Sequence, residues 1–113
     1  MPHLVVECSE KVLTMKSPDE LVQSIYKTVI AIDGFPINVM VRIVPFKHYT
    51  TIGLKDDFIF ICAHILEGRT LKQKQYLSKN VIKMLKEMFP ELSKISMIIR
   101  EFERATFINN SMV

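Results

Sequence analysis

The spacing of apolar and polar positions predicts six regular elements, in the order strand, helix, strand, strand, helix, strand. The four predicted strands cover residues 3–8, 37–46, 58–66 and 93–103. The third, from Phe58 to Leu66, is an almost unbroken apolar run, which is typical of a strand that is buried on both faces. The pattern of residues 47–57 predicts a loop, within which residues 49–52 suit a short strand.

The first predicted helix covers residues 18–32 and has clear signals at both ends. Ser17 is a favourable N-cap, Pro18 suits the first helical position, and Glu20 completes a predicted capping box with Ser17. The apolar stripe of this helix consists of Leu21, Ile25, Val29 and Ile32. A glycine followed by a proline, within residues 34–36, is typical of the chain leaving a helix.

The second predicted helix begins after Thr70 and ends near Phe89 and Pro90. Thr70 and Gln73 have the spacing of a capping box. The apolar stripe consists of Leu77, Val81, Leu85 and Met88. Five lysines and one glutamate lie outside this stripe, which is the pattern of a solvated face.

The order of elements predicts two consecutive βαβ units, at about residues 3–45 and 58–103, within one domain that covers residues 1–113. Right-handed crossovers pair the strands of each unit in parallel and put both helices on the same side. We therefore expect an α/β fold, a two-layer sandwich of the α+β type, with a four-stranded sheet and both helices on one face. The other face is left without cover, so we expect neighbouring copies to cover it in a homo-oligomer.

Composition narrows the class of protein. The chain of 113 residues is 49% hydrophobic and 24% charged, which excludes a disordered tail. A net charge of +3 is too small to predict a nucleic-acid partner. We expect no membrane segment and a cytoplasmic location, because no apolar run approaches the length of a membrane span.

Cysteine and histidine spacing predicts neither a disulfide framework nor a metal site. Cys8 and Cys62 are far apart and lie in predicted strands, so we expect buried, reduced thiols. His3, His48 and His64 lack metal-ligand spacing, and His64 is expected to be a hydrogen-bonded core residue.

Pro2 is the first candidate for chemistry. Removal of Met1 would leave a secondary amine at the chain terminus. Reference α-amino groups titrate near about 8, and an apolar environment lowers the pKa towards neutrality, where the amine can act as a general base. Many proteins begin with Met-Pro and make no use of it, but here Pro2 leads directly into a predicted strand that would hold its nitrogen in place.

Four short motifs follow one another along the chain. They are Pro2-His3-x-x-Val6-Glu7-Cys8-Ser9, Phe35-Pro36, Gly68-Arg69-Thr70 and Asn109-Asn110. In this order they resemble the 5-carboxymethyl-2-hydroxymuconate isomerase family of the tautomerase superfamily. The resemblance implies a double βαβ fold assembled as a homotrimer. It also implies catalysis by an amino-terminal proline without a metal or organic cofactor, and arginines that bind the carboxylates of the substrate.

Carried over by position, the resemblance makes Pro2 the catalytic base and Arg69 a substrate-binding residue. Without the resemblance, Arg69 would be interpreted as a solvated or packing cation. Arg42 is the second substrate-binding candidate, although it is displaced by one residue from the family's Arg-x-Arg pattern, and a one-residue shift would turn a strand side chain to the opposite face. Phe60 stands where the family has a histidine, so the substrate can differ from that of the named isomerase.

The implied activity is a proton shift within a small unsaturated 2-hydroxy or 2-keto acid or diacid, as in the catabolism of aromatic compounds. Neutral Pro2 would move the proton, and arginine would bind a carboxylate bidentately. Two alternatives use the same pocket: a promiscuous keto–enol tautomerase of phenylpyruvate type, and a hydrolytic, dehalogenase-like enzyme. A third is a non-catalytic trimeric binding protein. Four charged residues near the last strand, Arg100, Glu101, Glu103 and Arg104, suit either intersubunit ion pairs or the site.

Overall fold

The computed structural model describes residues 1–113 and contains four strands and three helices. The strands are β1 (His3–Ser9), β2 (Met40–Phe46), β3 (Phe58–Leu66) and β4 (Lys94–Phe102). The helices are α1 (Val12–Met15), α2 (Pro18–Ile30) and α3 (Leu71–Met88), and two short 3-10 turns follow at Arg104–Thr106 and Asn110–Met112. None of these helices is both long and apolar enough to span a membrane.

The strands form one sheet in the order β2-β1-β3-β4. β1 pairs with β2 in parallel and β3 pairs with β4 in parallel, so each crossover helix connects two parallel neighbours. The two halves of the chain meet at the centre of the sheet, where β1 and β3 are antiparallel. The predicted fold class, a four-stranded sheet with both long helices on one face, is confirmed.

The helix starts follow from local chemistry. The Ser17 hydroxyl accepts a hydrogen bond from the Glu20 backbone N–H at 3.1 Å, but the reciprocal half of that predicted capping box is not formed. Thr70 and Gln73 form the complete box, with bonds of 3.1 and 2.8 Å. These bonds satisfy backbone donors that have no partner inside the helix.

The core lies between the helices and one face of the sheet. The apolar stripes of α2 and α3 supply Leu21, Ile25, Val29, Leu77, Val81 and Leu85, all 0% exposed. Alternate residues of the two central strands complete the core; they are Leu4, Val6, Cys8, Ile59, Ile61, Ala63 and Ile65. Period-two alternation makes this possible, since every second strand residue points to the same side.

Four local features differ from the sequence predictions. The helix α1 was not predicted, and α2 ends at Ile30, two residues earlier than expected. Residues 49–52 form no strand, and the loop contains only an isolated bridge between Thr51 and Leu54. β2 begins at Met40 rather than at residue 37, because β1 begins at His3, the partner of Met40, and leaves residues 37–39 without a neighbouring strand.

The face of the sheet opposite the helices is uncovered in the single chain; we call it the open face. Its residues include His3, Val5, Glu7, Met40, Arg42, Val44, Phe60, Cys62, His64, Ser96, Ile98 and Arg100. The expectation that β3 is buried on both sides is wrong for the single chain, since its residues alternate between buried and half-buried. His64 lies on this open face rather than in the core, and Cys62 is half-buried beside it.

Candidate functional site

Pro2 is buried at the entrance to β1. Its carbonyl oxygen accepts a hydrogen bond from the Met40 N–H at 2.9 Å, which ties the start of the chain to β2. Chain ends without such a bond usually fray. Met1 is 47% exposed and bonded to the Pro2 nitrogen, so the nitrogen is an amide and becomes a base only after Met1 is removed.

The topology gathers the candidate residues at one end of the sheet. Because β1 and β3 are antiparallel, His3 lies opposite His64, and the turn that follows β3 is close to the start of β1. Arg69 belongs to the segment that leads from this turn into α3. The loop between α2 and β2 reaches the same end, since His3 pairs with Met40.

Arg69 packs onto the loop that follows α2. Its guanidinium carbon lies 4.2 Å from the centre of the Phe35 ring, and its Nη2 donates to the Gly34 carbonyl oxygen at 2.9 Å. Partial burial lowers the pKa of Arg69 from its ordinary value. Gly34 has φ of +91°, a conformation that other residues rarely adopt, so this turn depends on glycine. Arg69 therefore holds the turn in place while most of its N–H donors remain unbonded within the chain.

Arg42 lies on the open face, and the register explains its position. The β1–β2 pairing runs without a bulge from His3 and Met40 to Ser9 and Phe46. Arg42 therefore shares a face with Met40 and His3, while strand alternation turns the buried Pro2 to the opposite face. Within one chain, Arg42 and Pro2 do not converge on a single cavity.

His3 is the direct partner of Arg42. The Arg42 Nη1 lies 3.1 Å from the His3 Nδ1. Arginine only donates hydrogen bonds, so the His3 Nδ1 accepts and the neutral ring carries its proton on Nε2. Burial lowers the pKa of His3, and the neighbouring charges of Arg42, the chain terminus and His64 lower it further. The open face therefore carries an uncompensated positive potential at this end.

Acidic side chains near this end are engaged elsewhere. Glu101 pairs with Lys74 at 3.1 Å, and the Glu67 carboxylate accepts from the Arg104 backbone N–H at 2.7 Å. The chain's other ion pair joins Lys94 to Asp56 at 3.3 Å, at the far end of the sheet. Neither Arg42 nor Arg100 has a carboxylate partner.

Two surface cavities lie near opposite ends of the sheet. One of about 400 Å³ lies between the end of α2 and the start of α3, beside the contact of Arg69 with Gly34 and Phe35. It is lined by Ala31, Ile32, Asp33, Phe35, Lys72, Gln73 and Tyr76. Another of about 310 Å³ contains Lys11, Lys47, Lys55 and Tyr49 near the start of β3. Pro2 lines neither of these two cavities.

The sequence interpretation missed His3 and His64 as a pair. The pairing of β1 with β3 joins positions about 60 residues apart, and a single sequence carries no direct signal of it. No three His, Cys, Asp or Glu side chains converge in an arrangement that could hold a metal ion.

Comparison with solved structures supports the same fold. A 5-carboxymethyl-2-hydroxymuconate isomerase from Deinococcus radiodurans R1 superposes with a TM-score of 0.83 at 23% identity, covering 96% of this chain and 88% of the other. A member of the cis-3-chloroacrylic acid dehalogenase family gives 0.80 at 16% identity, over 96% and 80%. A fused 4-OT protein described as an asymmetric trimer gives 0.80 at 16% identity, over 96% and 92%.

No curated protein matches the sequence. The family assignment instead follows from the sequence pattern as a whole, which matches 5-carboxymethyl-2-hydroxymuconate isomerase over residues 2–112. The resemblance inferred from four short motifs is thereby confirmed, and with it the prediction of an isomerase family. This chain belongs to the 5-carboxymethyl-2-hydroxymuconate isomerase family.

Proposed function

We propose that this protein is a cofactor-free tautomerase that moves a proton within a small unsaturated 2-hydroxy or 2-keto acid. The observation that carries the proposal is the fixed, buried position of Pro2 at the start of β1, in a chain of this isomerase family. After loss of Met1, the Pro2 nitrogen is a secondary amine beside an apolar core. Burial disfavours the cation, which makes the amine a base near neutral pH.

Arginines supply the recognition of the substrate's carboxylates. Arg69 lies at the same end of the sheet as Pro2, just before α3, where a helix amino terminus favours anions. Arg42 lies on the open face and has no carboxylate partner. A planar guanidinium binds a carboxylate bidentately and stabilises charge that develops on the adjacent dienol.

The open face is the surface through which we expect copies of this chain to associate. Apolar residues such as Val5, Phe60 and Ile98 lie on it with no cover in the single chain. Two solved 4-OT proteins with this fold are described as trimers. We propose that this chain also forms a homotrimer through the open face, so that Arg42 of one copy serves the Pro2 of a neighbouring copy.

The test begins with the mass of the natively expressed protein, which is expected to lack Met1. Ketonisation of 2-hydroxymuconate-type substrates is then measured for the wild type, Pro2→Ala and Pro90→Ala. Loss of the positioned secondary amine is expected to lower kcat/KM by at least about 100-fold. Pro90 is an exposed proline after α3, so Pro90→Ala is a matched control that keeps full activity.

Full activity of Pro2→Ala, or of protein that retains Met1, would exclude the proline mechanism. A trimmed, folded wild type that is inert towards every enol acid would instead support the non-catalytic binding protein. Circular dichroism of each variant separates lost chemistry from lost folding.

A second activity, the keto–enol tautomerisation of a monocarboxylate such as phenylpyruvate, is favoured by one observation. Arg69 is half-buried, bonded to the Gly34 carbonyl and packed on Phe35, whereas Arg42 is exposed and contacts only the side chains of His3 and Met40. Comparison of dicarboxylate and monocarboxylate enols in Arg42→Ala and Arg69→Ala separates the two. A dicarboxylate enzyme loses activity with both variants, whereas a monocarboxylate enzyme depends on Arg42 alone.

A further inference from the structure

A cavity of about 310 Å³ lies beyond the carboxyl ends of β1 and β2, at the end of the sheet opposite Pro2; we call it the far cavity. β1 ends at Ser9 and β2 ends at Phe46, and both residues line it together with the loop that follows β2. Since a strand rises about 3.3 Å per residue, Ser9 lies roughly 23 Å from Pro2 along β1. Ligands of open α/β sheets commonly bind beyond the carboxyl ends of parallel strands. The far cavity is therefore separate from the candidate active site and is placed where a ligand can bind.

Hydrogen bonds within one chain form the frame of the far cavity. Ser9 is 2% exposed, and its hydroxyl donates to the Asp57 Oδ1 at 2.9 Å and accepts from the Phe58 N–H at 3.3 Å. The Glu10 N–H donates to the Phe46 carbonyl oxygen at 3.1 Å. These bonds join the ends of β1 and β2 to the start of β3, so the cavity needs no second copy for its walls.

Aromatic rings form the apolar part of the wall. Phe46 and Tyr49 line the cavity, and both rings pack against Phe58, with centroid separations of 6.3 and 4.9 Å. Tyr49 meets Phe58 edge to face, which is a favourable geometry for aromatic pairs. The chain's own loop thus packs over this end of the sheet through Tyr49, and the rings offer a surface on which a flat aromatic ligand can stack.

Three lysines surround this aromatic wall, and none of them has a carboxylate partner. Lys11, Lys47 and Lys55 line the cavity, whereas the two ion pairs of the chain involve other lysines. The Lys55 Nζ lies 5.7 Å from the centre of the Tyr49 ring. The cavity therefore places ammonium groups directly beside an aromatic surface.

Two carboxylates in the lining decide the charge of the ligand. Glu10 and Asp57 line the cavity with the three lysines, so the net charge of these five side chains is +1. The Asp57 carboxylate is already bonded to the Ser9 hydroxyl. A singly charged anion balances this excess, whereas a doubly charged phosphate would meet stronger repulsion from the two carboxylates.

We infer that the far cavity binds a small aromatic carboxylate, with its ring against Phe46 and Tyr49 and its carboxylate among the ammonium groups of the three lysines. Ammonium groups form charge-assisted hydrogen bonds with carboxylates. The volume is at the lower end of the range of ligand pockets, which suits a ligand with a single ring. This site goes beyond the proposed activity and does not require Pro2 to be a base.

The test uses benzoate as the probe, on the full chain in its assembled state. NMR titration follows backbone amides: those of Glu10, Lys47 and Tyr49 report on the far cavity, and that of Gly34 reports on the candidate active site. Benzoate is expected to shift the far-cavity amides in a saturable way, with a Kd of about 1–10 mM for so small a ligand. The two groups of amides are fitted separately, so failure of this inference and failure of the proposed function are distinguishable.

Matched ligands separate the contribution of the charge from that of the ring. Benzylamine keeps the ring and reverses the charge, so it is expected to produce no saturable shift of the far-cavity amides. Cyclohexanecarboxylate keeps the charge and loses the flat aromatic face, so it is expected to bind at least about threefold more weakly than benzoate.

Variants assign the binding to the lining residues. Lys47→Met combined with Lys55→Met is expected to weaken benzoate binding at least about tenfold. Tyr49→Leu is expected to remove the preference for benzoate over cyclohexanecarboxylate. Lys27→Met is the matched control with wild-type affinity, because Lys27 is exposed on α2 and does not line the cavity. Circular dichroism verifies that each variant is folded.

Absence of a saturable shift of the far-cavity amides in folded wild type overturns the inference. Equal affinity for benzylamine, or a response confined to the Gly34 amide, has the same consequence. A loss of affinity in Lys27→Met as large as that in the double lysine variant would also contradict the assignment.

Discussion

The two faces of the sheet are built from the same strands but differ in almost every physical property. The helix face carries Leu4, Val6, Ile61 and other apolar residues that are essentially unexposed. The open face mixes apolar residues with His3, Arg42 and Arg100 and remains partly exposed. Burial of the helix face therefore stabilises the single chain, while the open face stays partly exposed.

This division is a consequence of strand alternation. A residue such as Ile61 and its neighbour Phe60 differ by one position, yet one is packed under the helices and the other faces outward. Buried apolar area stabilises the chain by roughly 25 cal/mol per Å². The helix face offers this contribution within one chain, whereas the open face offers it only when another surface covers it.

The largest effect is expected from Ile61→Ala on the helix face. Deleting a fully buried aliphatic group leaves a cavity, so the free energy of unfolding should fall by about 2–5 kcal/mol at every protein concentration. Urea unfolding measures this. The matched variant Phe60→Ala should have an effect that grows with protein concentration, and equal, concentration-independent losses for both would contradict the distinction between the faces.

A charge placed on the open face should act on assembly rather than on folding. Ile98 is 36% exposed and lies beside Cys62 in the register, so Ile98→Asp should weaken self-association at least about 100-fold, because an unpaired carboxylate would be buried in the interface. Light scattering after size-exclusion chromatography measures the oligomer.

The control for that substitution is Ile37→Asp. Ile37 is 76% exposed in the loop before β2, away from the sheet. Its substitution should leave the oligomer intact. If Ile98→Asp also remains assembled, the open face is not the interface.

The two cysteines report on the two faces separately. Cys8 lies on the helix face, is 0% exposed, and burial raises the pKa of its thiol to about 11, so it should resist alkylation in any folded state. Cys62 lies on the open face and should react roughly tenfold faster when dilution dissociates the oligomer. Mass spectrometry of the alkylated peptides measures both rates, and a Cys62 rate that is independent of dilution would contradict cover of the open face.

The smallest expected effect is a pH dependence from the open face. The pKa of His3 is lowered from 6.5 in the folded chain, so the unfolded chain binds more protons and stability falls as pH decreases through about 6.5. Thermal unfolding between pH 8 and pH 5 should show this fall, and His3→Gln should flatten it.

His48→Gln is the control, because His48 lies in the loop between β2 and β3 rather than on the open face. The pH profile of this variant should match that of the wild type. An unchanged profile in His3→Gln would show that other groups govern the acid response.

Local chemistry in the sequence was sufficient for most of the fold. Thr70 and Gln73 form the predicted capping box, and the helical stripes through Ile25 and Val81 are buried as expected. The bounds of β3 were also correct. Predictions were less accurate where a strand depends on a pairing partner. Residues 37–39 resemble a strand but have no neighbouring strand to pair with.

For the candidate functional residues, too, local motifs were sufficient for some features and distant contacts decided others. Pro2, Arg69 and Arg42 could be named from motifs, and their roles stay predictions until tested. The surroundings of each residue depend on contacts with distant parts of the chain. Arg69 meets Gly34 and Phe35, which lie more than 30 residues earlier, and no local pattern indicates that contact.

The sequence by itself determined most of the elements, the fold class and the family resemblance, because periodicity, capping and motifs are properties of neighbouring residues. Only the tertiary structure decided that β1 and β3 are antiparallel neighbours and that Arg42 shares a face with His3. Those facts depend on hydrogen bonds between distant strands, whose register turns each side chain towards the helices or away from them.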